Sequence, residues 1–163
     1  MAPLTQLRAT TLVIIIGLVV SGVTAFPLKL ELNILADFFV KNGDYDPASY
    51  AGLAYWIMQV REGLVNTYRD YPFIAYGTDW LAFGHIVIAL FFLPVYRDPV
   101  RYRANFTVGM WACILVIPLA LICGPIRGIP FYWQLIDCAF GFFCIFPILY
   151  AMHLVKKLPK YEA

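Results

Sequence analysis

Charge is scarce in this chain. Asp, Glu, Lys and Arg make up 13% of its 163 residues, against about 25% in an average soluble domain. A disordered chain needs high charge and few apolar residues, and a nucleic-acid binder needs a basic face, so both classes are excluded. A formal net charge of +2 gives a polyanion nothing to hold. Histidine is rarer still, with two in the chain. The four cysteines, Cys113, Cys123, Cys138 and Cys144, include no C-x-x-C pair. That excludes a quinone-linked thiol oxidoreductase and leaves the cysteines as small apolar packing groups. Internal repeats and low-complexity tracts are absent from the sequence as well.

Apolar residues fill the space instead. Hydrophobic types reach 62%, aromatics 17%, and the mean hydropathy is +0.75. An ordinary soluble globule is thereby excluded, and the reading is an all-α integral membrane protein forming a single membrane domain over residues 1–163. A spanning helix takes about 20 mostly apolar residues, and four stretches supply them: residues 7–26, 78–96, 104–124 and 130–156. Pro27 closes the first. Thr78 offers an N-cap for the second, with Asp79 suiting the positive end of its dipole. Pro118 and Pro147 interrupt the third and fourth, and Pro130 suits a first helical position. The first stretch also has features of a signal peptide, with Arg8 as basic flank and Val23-Thr24-Ala25 as a small-residue cleavage sequence; the spanning reading is preferred.

Orientation follows from the basic residues. Arg8, Arg97, Arg101, Arg103, Lys156, Lys157 and Lys160 fall on one side, accompanied only by Asp98 and Glu162, whereas acids outnumber bases on the other. Both termini are therefore expected in the cytoplasm, with residues 28–77 on the extracytoplasmic side. The sequon Asn105-Phe106-Thr107 would then lie inside and is discarded.

Residues 28–77 are too many and too apolar for a structureless connection. Leu28, Leu32, Leu35 and Phe39 recur at helical spacing, opposite Lys29, Asn33, Asp37 and Lys41, as in a helix lying among headgroups. Asn42-Gly43-Asp44 breaks it. Asp46-Pro47 offers the cap of a second helix whose stripe runs through Tyr50, Leu53, Ile57, Leu64 and Tyr68, ending at Asp70-Tyr71-Pro72. The expected fold is a four-transmembrane-helix bundle with a helical cap between its first two spans. Trp56, Tyr71, Tyr76, Trp80, Tyr132 and Trp133 make an interfacial aromatic belt.

Ionisable residues inside a membrane are functional candidates by default. His85 and Asp137 both lie about 10 Å below the outer ends of their helices at 1.5 Å per residue. A carboxylate fixing an imidazole tautomer offsets the burial of both. His153 lies about 35 Å along its own helix, so the two histidines cannot share a haem, and no cofactor is assigned. Arg127, in the turn of residues 124–129, reaches toward Asp79 or Asp137, or holds a carboxylate or phosphate bidentately. Gln134 shares the face of Asp137, and Ser21, Tyr76, Trp80 and Trp133 complete the candidate ligand site. A Ser21–His85–Asp137 triad fits by depth, yet Gly17-xxx-Ser21 reads as a small-residue packing pair and no nucleophile elbow is present. A metal site from Asp79, His85 and Asp137 matches no spacing motif, and none is assigned.

Phe83-Gly84-His85-Ile86-Val87-Ile88 followed by Asn105-Phe106-Thr107-Val108-Gly109-Met110 resembles the second and third helices of the sterol-isomerase and sigma-2-receptor-like four-helix family. The resemblance is confined to these two short stretches. The acidic residues on which that family's chemistry relies are matched here by Ala89 and Trp111, and its first loop is short where this one is long. The resemblance therefore implies no isomerase activity.

The leading expectation is a small multi-pass membrane protein that binds membrane lipid or serves as a subunit of a larger membrane assembly, with other membrane subunits or a second copy as partners. The alternative is a membrane-embedded enzyme on a lipid or isoprenoid-like substrate, with His85 as acid/base, Asp137 as its orienter and Arg127 as headgroup anchor. A small transporter is the third reading, opposed by the lack of charge through the inner half. The topology is directly testable. In a cysteine-free background, single cysteines at Asp44 and Arg101 are expected to react with an impermeant maleimide from opposite sides of the membrane; reaction of both from one side would overturn the four-span arrangement.

Overall fold

The structure, a computed structural model, describes residues 2–159; Lys160 and Glu162, which entered the charge count above, lie outside them. The described residues form helices α1 (Pro3–Ala25), α2 (Leu28–Asp37), α3 (Gly52–Asp70), α4 (Ala75–Phe91), α5 (Leu93–Arg97), α6 (Ala104–Ile126) and α7 (Phe131–Val155). Single 3₁₀ turns at Pro47–Ser49 and Pro72–Ile74 precede α3 and α4. The only pairing outside helices among these residues is an isolated bridge between Lys41 and Asp44. Four stretches are long and apolar enough to cross a membrane: Pro3–Ala25, Pro72–Arg97, Ala104–Ile126 and Phe131–Val155. Protein covers only 11–22% of their most apolar windows, so their remaining surface suits hydrocarbon rather than water. The chain is an all-helical integral membrane protein.

The contacts divide it into two compact units, Val19–Ile86 and the residues flanking that segment on both sides. The flanking unit holds the first part of α1, the end of α4, and α5 to α7. Its core joins Leu7 of α1, Phe92, Val95 of α5, Phe106 and Cys113 of α6, and Ile148 and Leu154 of α7. The rings of Phe92 and Phe106 lie 6.1 Å apart. Glycine lets α6 and α7 approach closely. A Cβ on Gly141 would collide with the Cys113 carbonyl oxygen and Val116 Cγ1, and one on Gly109 would sit 3.2 Å from both Ile148 Cδ1 and Phe92 Cζ. Gly124 leaves room for Gln134, whose Cδ would be 2.5 Å from an added Cβ. The seam on α7 therefore runs through Gln134, Gly141 and Ile148, all buried, and the Cys138 thiol points along it to the Ile117 carbonyl at 3.9 Å. Without a hydrophobic force between helices in lipid, such close dispersion contact is what associates them.

Proline sets the break between α4 and α5. Pro94 has no N–H for the Leu90 carbonyl, and its ring crowds that turn. The helix stops at Phe91, whose carbonyl accepts from Asn105 Nδ2 at 2.5 Å. Asn105, discarded above as a sequon, closes this break. Pro118 and Pro147 lie within continuous helices.

In the unit Val19–Ile86, α2 packs on α3 through Ala36, Ile57 and Met58, and Arg61 Nε donates to Asn33 Oδ1 at 2.8 Å. The Arg61 guanidinium stacks 4.1 Å over the Tyr45 ring, and Tyr45 donates its hydroxyl to Asp37 at 2.5 Å. That bond to a carboxylate raises the phenol's pKa. The Ser49 hydroxyl, then the Asp46 N–H, hold the Asp44 carboxylate below its usual range. Asn42 and Gly43 take the left-handed backbone (φ 54° and 73°) that turns the chain between α2 and α3. A second close approach lies within this unit: a Cβ on Gly22 of α1 would be 2.8 Å from the Ala82 carbonyl oxygen and 2.9 Å from Ile86 Cγ1 of α4.

Two caps expected from sequence are corrected. Asp46 caps the 3₁₀ turn, accepting from Ala48 N at 2.9 Å, and not α3; Tyr50 and Ala51 are extended, and α3 starts at Gly52 with φ 59°. The second span starts before Thr78, whose hydroxyl donates back to the Ala75 carbonyl at 2.7 Å, a local bond that competes with capping. The packing pair Gly17-xxx-Ser21 is also replaced: a Cβ on Gly17 meets nothing within 4 Å, Ser21 is exposed, and Gly22 makes the close approach.

Gly141→Val is expected to lower stability by about 1–3 kcal/mol, because the seam backbone has to shift. Gly17→Ala is expected to stay within about 0.5 kcal/mol of the parent. A denaturing-detergent titration of both variants checks this, and equal midpoints would remove the α6–α7 seam as the main contact.

Candidate functional site

The candidate residues fall into both units. Ser21, Tyr76, Asp79, Trp80 and His85 belong to Val19–Ile86, and Arg127, Trp133, Gln134 and Asp137 to the flanking unit.

Within Val19–Ile86, the end of α1 and the first turns of α4 frame an open groove of about 230 Å³ lined by Phe26, Tyr76, Asp79, Trp80 and Phe83. The helix builds its wall. Tyr76, Trp80 and Phe83 recur at i, i+4 and i+7, which stacks them on one face. Tyr76 meets Trp80 edge-to-face at 5.9 Å, and Trp80 meets Phe83 at 6.1 Å. All three rings are at least half exposed, at 63%, 57% and 50%. Asp79 sits half-buried between them and makes no hydrogen bond or ion pair among the described residues. A carboxylate set among ring faces attracts a cation by charge and by the ring quadrupole together. Phe26 and Phe83 were not singled out above; the aromatic spacing on α4 was the signal for Phe83.

His85 is half-buried beside Gly22, whose added Cβ would be 3.2 Å from His85 Cβ. Its Nδ1 lies 2.9 Å from the Leu81 carbonyl, which only accepts, so Nδ1 carries the proton and the imidazole is tied to its own helix. Ser21 is exposed, and its hydroxyl makes no hydrogen bond among the described residues. Thr78 Oγ1, its proton given to Ala75, accepts from the Tyr68 hydroxyl of α3 at 3.1 Å, which joins α3 to α4.

In the flanking unit, Gln134 is buried to 3% exposure and donates from Nε2 to the Ile129 carbonyl at 2.7 Å. It thereby braces the turn between α6 and α7. That turn is a Schellman closure: Gly128, at φ 68°, donates to the Pro125 carbonyl at 3.1 Å, and Ile129 N donates to the Gly124 carbonyl at 3.0 Å. Arg127 is the C-cap residue, with its N–H shared by the Cys123 and Gly124 carbonyls at 3.1 Å. Its side chain is exposed and forms no ion pair among the described residues. Asp137 is half-buried beside the Gln134–Gly141 seam and makes no hydrogen bond among these residues; Trp133 is half-buried one residue before Gln134. His153 is exposed. Among the described residues, no group of three or more His, Cys, Asp or Glu side chains converges as metal ligands would.

Comparison with family models, curated proteins and solved structures finds no match for the chain.

The turn yields a prediction. Gly128→Ala places a Cβ in the left-handed region and is expected to cost about 1–2 kcal/mol. Arg127→Gln removes an exposed side chain and is expected to stay within about 0.5 kcal/mol. Thermal unfolding of both variants distinguishes them; a larger loss at Arg127 would mean that its charge, and not the glycine, holds the turn.

Proposed function

We propose that the protein is a multi-pass lipid-binding module, and that its ligand is a lipid or related amphiphile with a cationic headgroup. The observation that carries this is the groove in which exposed Tyr76, Trp80 and Phe83 surround a carboxylate, Asp79, that has no partner among the described residues. An apolar chain follows the ring faces, and an ammonium group meets the carboxylate and rings together. Rings at a membrane interface suit this task, because they bury area there while their polar edges stay wet. The extracytoplasmic orientation of this groove follows from the basic-residue asymmetry and is part of the same proposal.

The polar residues that an enzyme would use support binding over catalysis. His85 Nδ1 is committed to the Leu81 carbonyl, Gln134 to the Ile129 carbonyl, and Thr78 to the Ala75 carbonyl. Such bonds are the internal satisfaction that lipid imposes on polar groups, and they leave few groups aimed at a substrate.

The test is mass spectrometry of lipid retained by the purified full chain after exposure to phosphatidylcholine vesicles. Asp79→Asn and Trp80→Ala are each expected to lower retention several-fold at unchanged melting temperature. Retention equal to the parent in both variants would refute the groove. Chemical conversion of the added lipid that disappears in His85→Gln would replace the binding module by the enzyme reading.

A further inference from the structure

A concavity in the flanking unit shares no lining residue with the aromatic groove. It measures about 320 Å³ and is lined by Leu4, Arg8, Arg97, Asp98, Val100 and Leu158, with Pro99 and Pro159 at its edge. Three separated pieces of chain build it: the first turns of α1, the loop after α5, and the segment after α7. All three flank the ends of membrane-crossing stretches, the level at which lipid headgroups lie.

Its chemistry is mixed in a specific way. Arg8 donates from Nη2 to the Arg97 carbonyl at 3.5 Å and stands 6.0 Å from the Tyr96 ring centroid, which brings both arginines to one rim. Neither has a carboxylate within ion-pair distance among the described residues. Asp98, the acid in the lining, accepts the Arg101 N–H at 3.1 Å. The first turn of α1 adds the positive end of a helix dipole. The rest of the wall is aliphatic. Two guanidinium groups offer the forked donors that a phosphate accepts bidentately. The aliphatic wall suits a glycerol backbone and the first carbons of acyl chains, and would gain nothing from a small hydrated anion. At the lower end of the range of about 300–1,000 Å³ for small-molecule sites, the space takes a headgroup and leaves the tails in the bilayer.

We propose that this crevice binds the phosphate of an anionic glycerophospholipid, with Arg8 and Arg97 as its ligands. The site is independent of the aromatic groove and stands if that groove fails. It also gives two of the residues that set the charge asymmetry a specific role, where a general attraction to anionic leaflets would use all of them alike.

The experiment uses the full chain reconstituted in phosphatidylcholine nanodiscs containing a minor share of phosphatidylglycerol, with retained lipids counted by native mass spectrometry. The parent protein is expected to retain phosphatidylglycerol in preference to phosphatidylcholine. The double variant Arg8→Gln/Arg97→Gln is expected to lose that preference by about tenfold. Arg101→Gln/Arg103→Gln, which removes the same charge from residues outside the crevice, is expected to keep it. Equal loss in both double variants would show a diffuse surface effect and overturn the site. Displacement of phosphatidylglycerol from the parent by millimolar inorganic phosphate would show a free-anion site and overturn the lipid assignment. Should the glutamine pair fail to fold, Arg8→Lys/Arg97→Lys replaces it; a several-fold loss supports bidentate recognition, and unchanged retention refutes it.

Discussion

Water is the missing hydrogen-bond partner along most of this chain, and its absence shapes both backbone and side chains. A carbonyl freed in hydrocarbon costs several kcal/mol unless protein satisfies it. At the α4–α5 break around Pro94, Asn105 of α6 donates to the Phe91 carbonyl. Thr10 and Thr11 return their hydroxyls to the Gln6 and Leu7 carbonyls at 2.9 Å, and Gln134 spends its amide on Ile129. At the α6 terminus the Schellman closure at Gly128 does the same work with backbone alone. These bonds commit several of the polar side chains that the apolar spans contain to partners within the protein.

Once polar atoms are satisfied, the remaining force between helices is close contact, and glycine position decides where it acts. Gly109, Gly124 and Gly141 lie along one α6–α7 seam, while Gly22 faces Ala82 in the other unit. Gly17, Gly63, Gly77 and Gly84 have open space where a Cβ would be. Composition cannot separate these two sets. A glycine on the lipid side and one on a seam differ only in what lies opposite, so the expected small-residue pair was drawn at Gly17 and Ser21 while the close contact falls at Gly22.

The four long apolar helices, the helical class and most boundaries were legible in the sequence. The first, third and fourth stretches agree with α1, α6 and α7 to within a few residues, since long apolar runs closed by Pro27 and opened by Pro130 leave little freedom, although α6 runs past Gly124 and Pro125 to Ile126. Helices α2 and α3 were legible as well, although Asp46 turned out to serve a 3₁₀ turn that the extended Tyr50 and Ala51 separate from α3. The candidate site was legible in part. Tyr76, Asp79 and Trp80 stand together in the groove, whereas His85 and Asp137 belong to different compact units. The crevice at Arg8 and Arg97 left no local pattern, because its walls come from residues nearly the whole chain apart.

Sequence by itself determined that this protein is helical and integral to a membrane, because hydropathy over a span is a sum over neighbours along the chain. Tertiary structure decided which glycines are contacts, which asparagine rescues the broken helix, and which charged residues share a cavity. Those properties depend on the atoms across a seam or a crevice, and a one-dimensional pattern contains the spacing of residues along a helix but not the identity of what faces them.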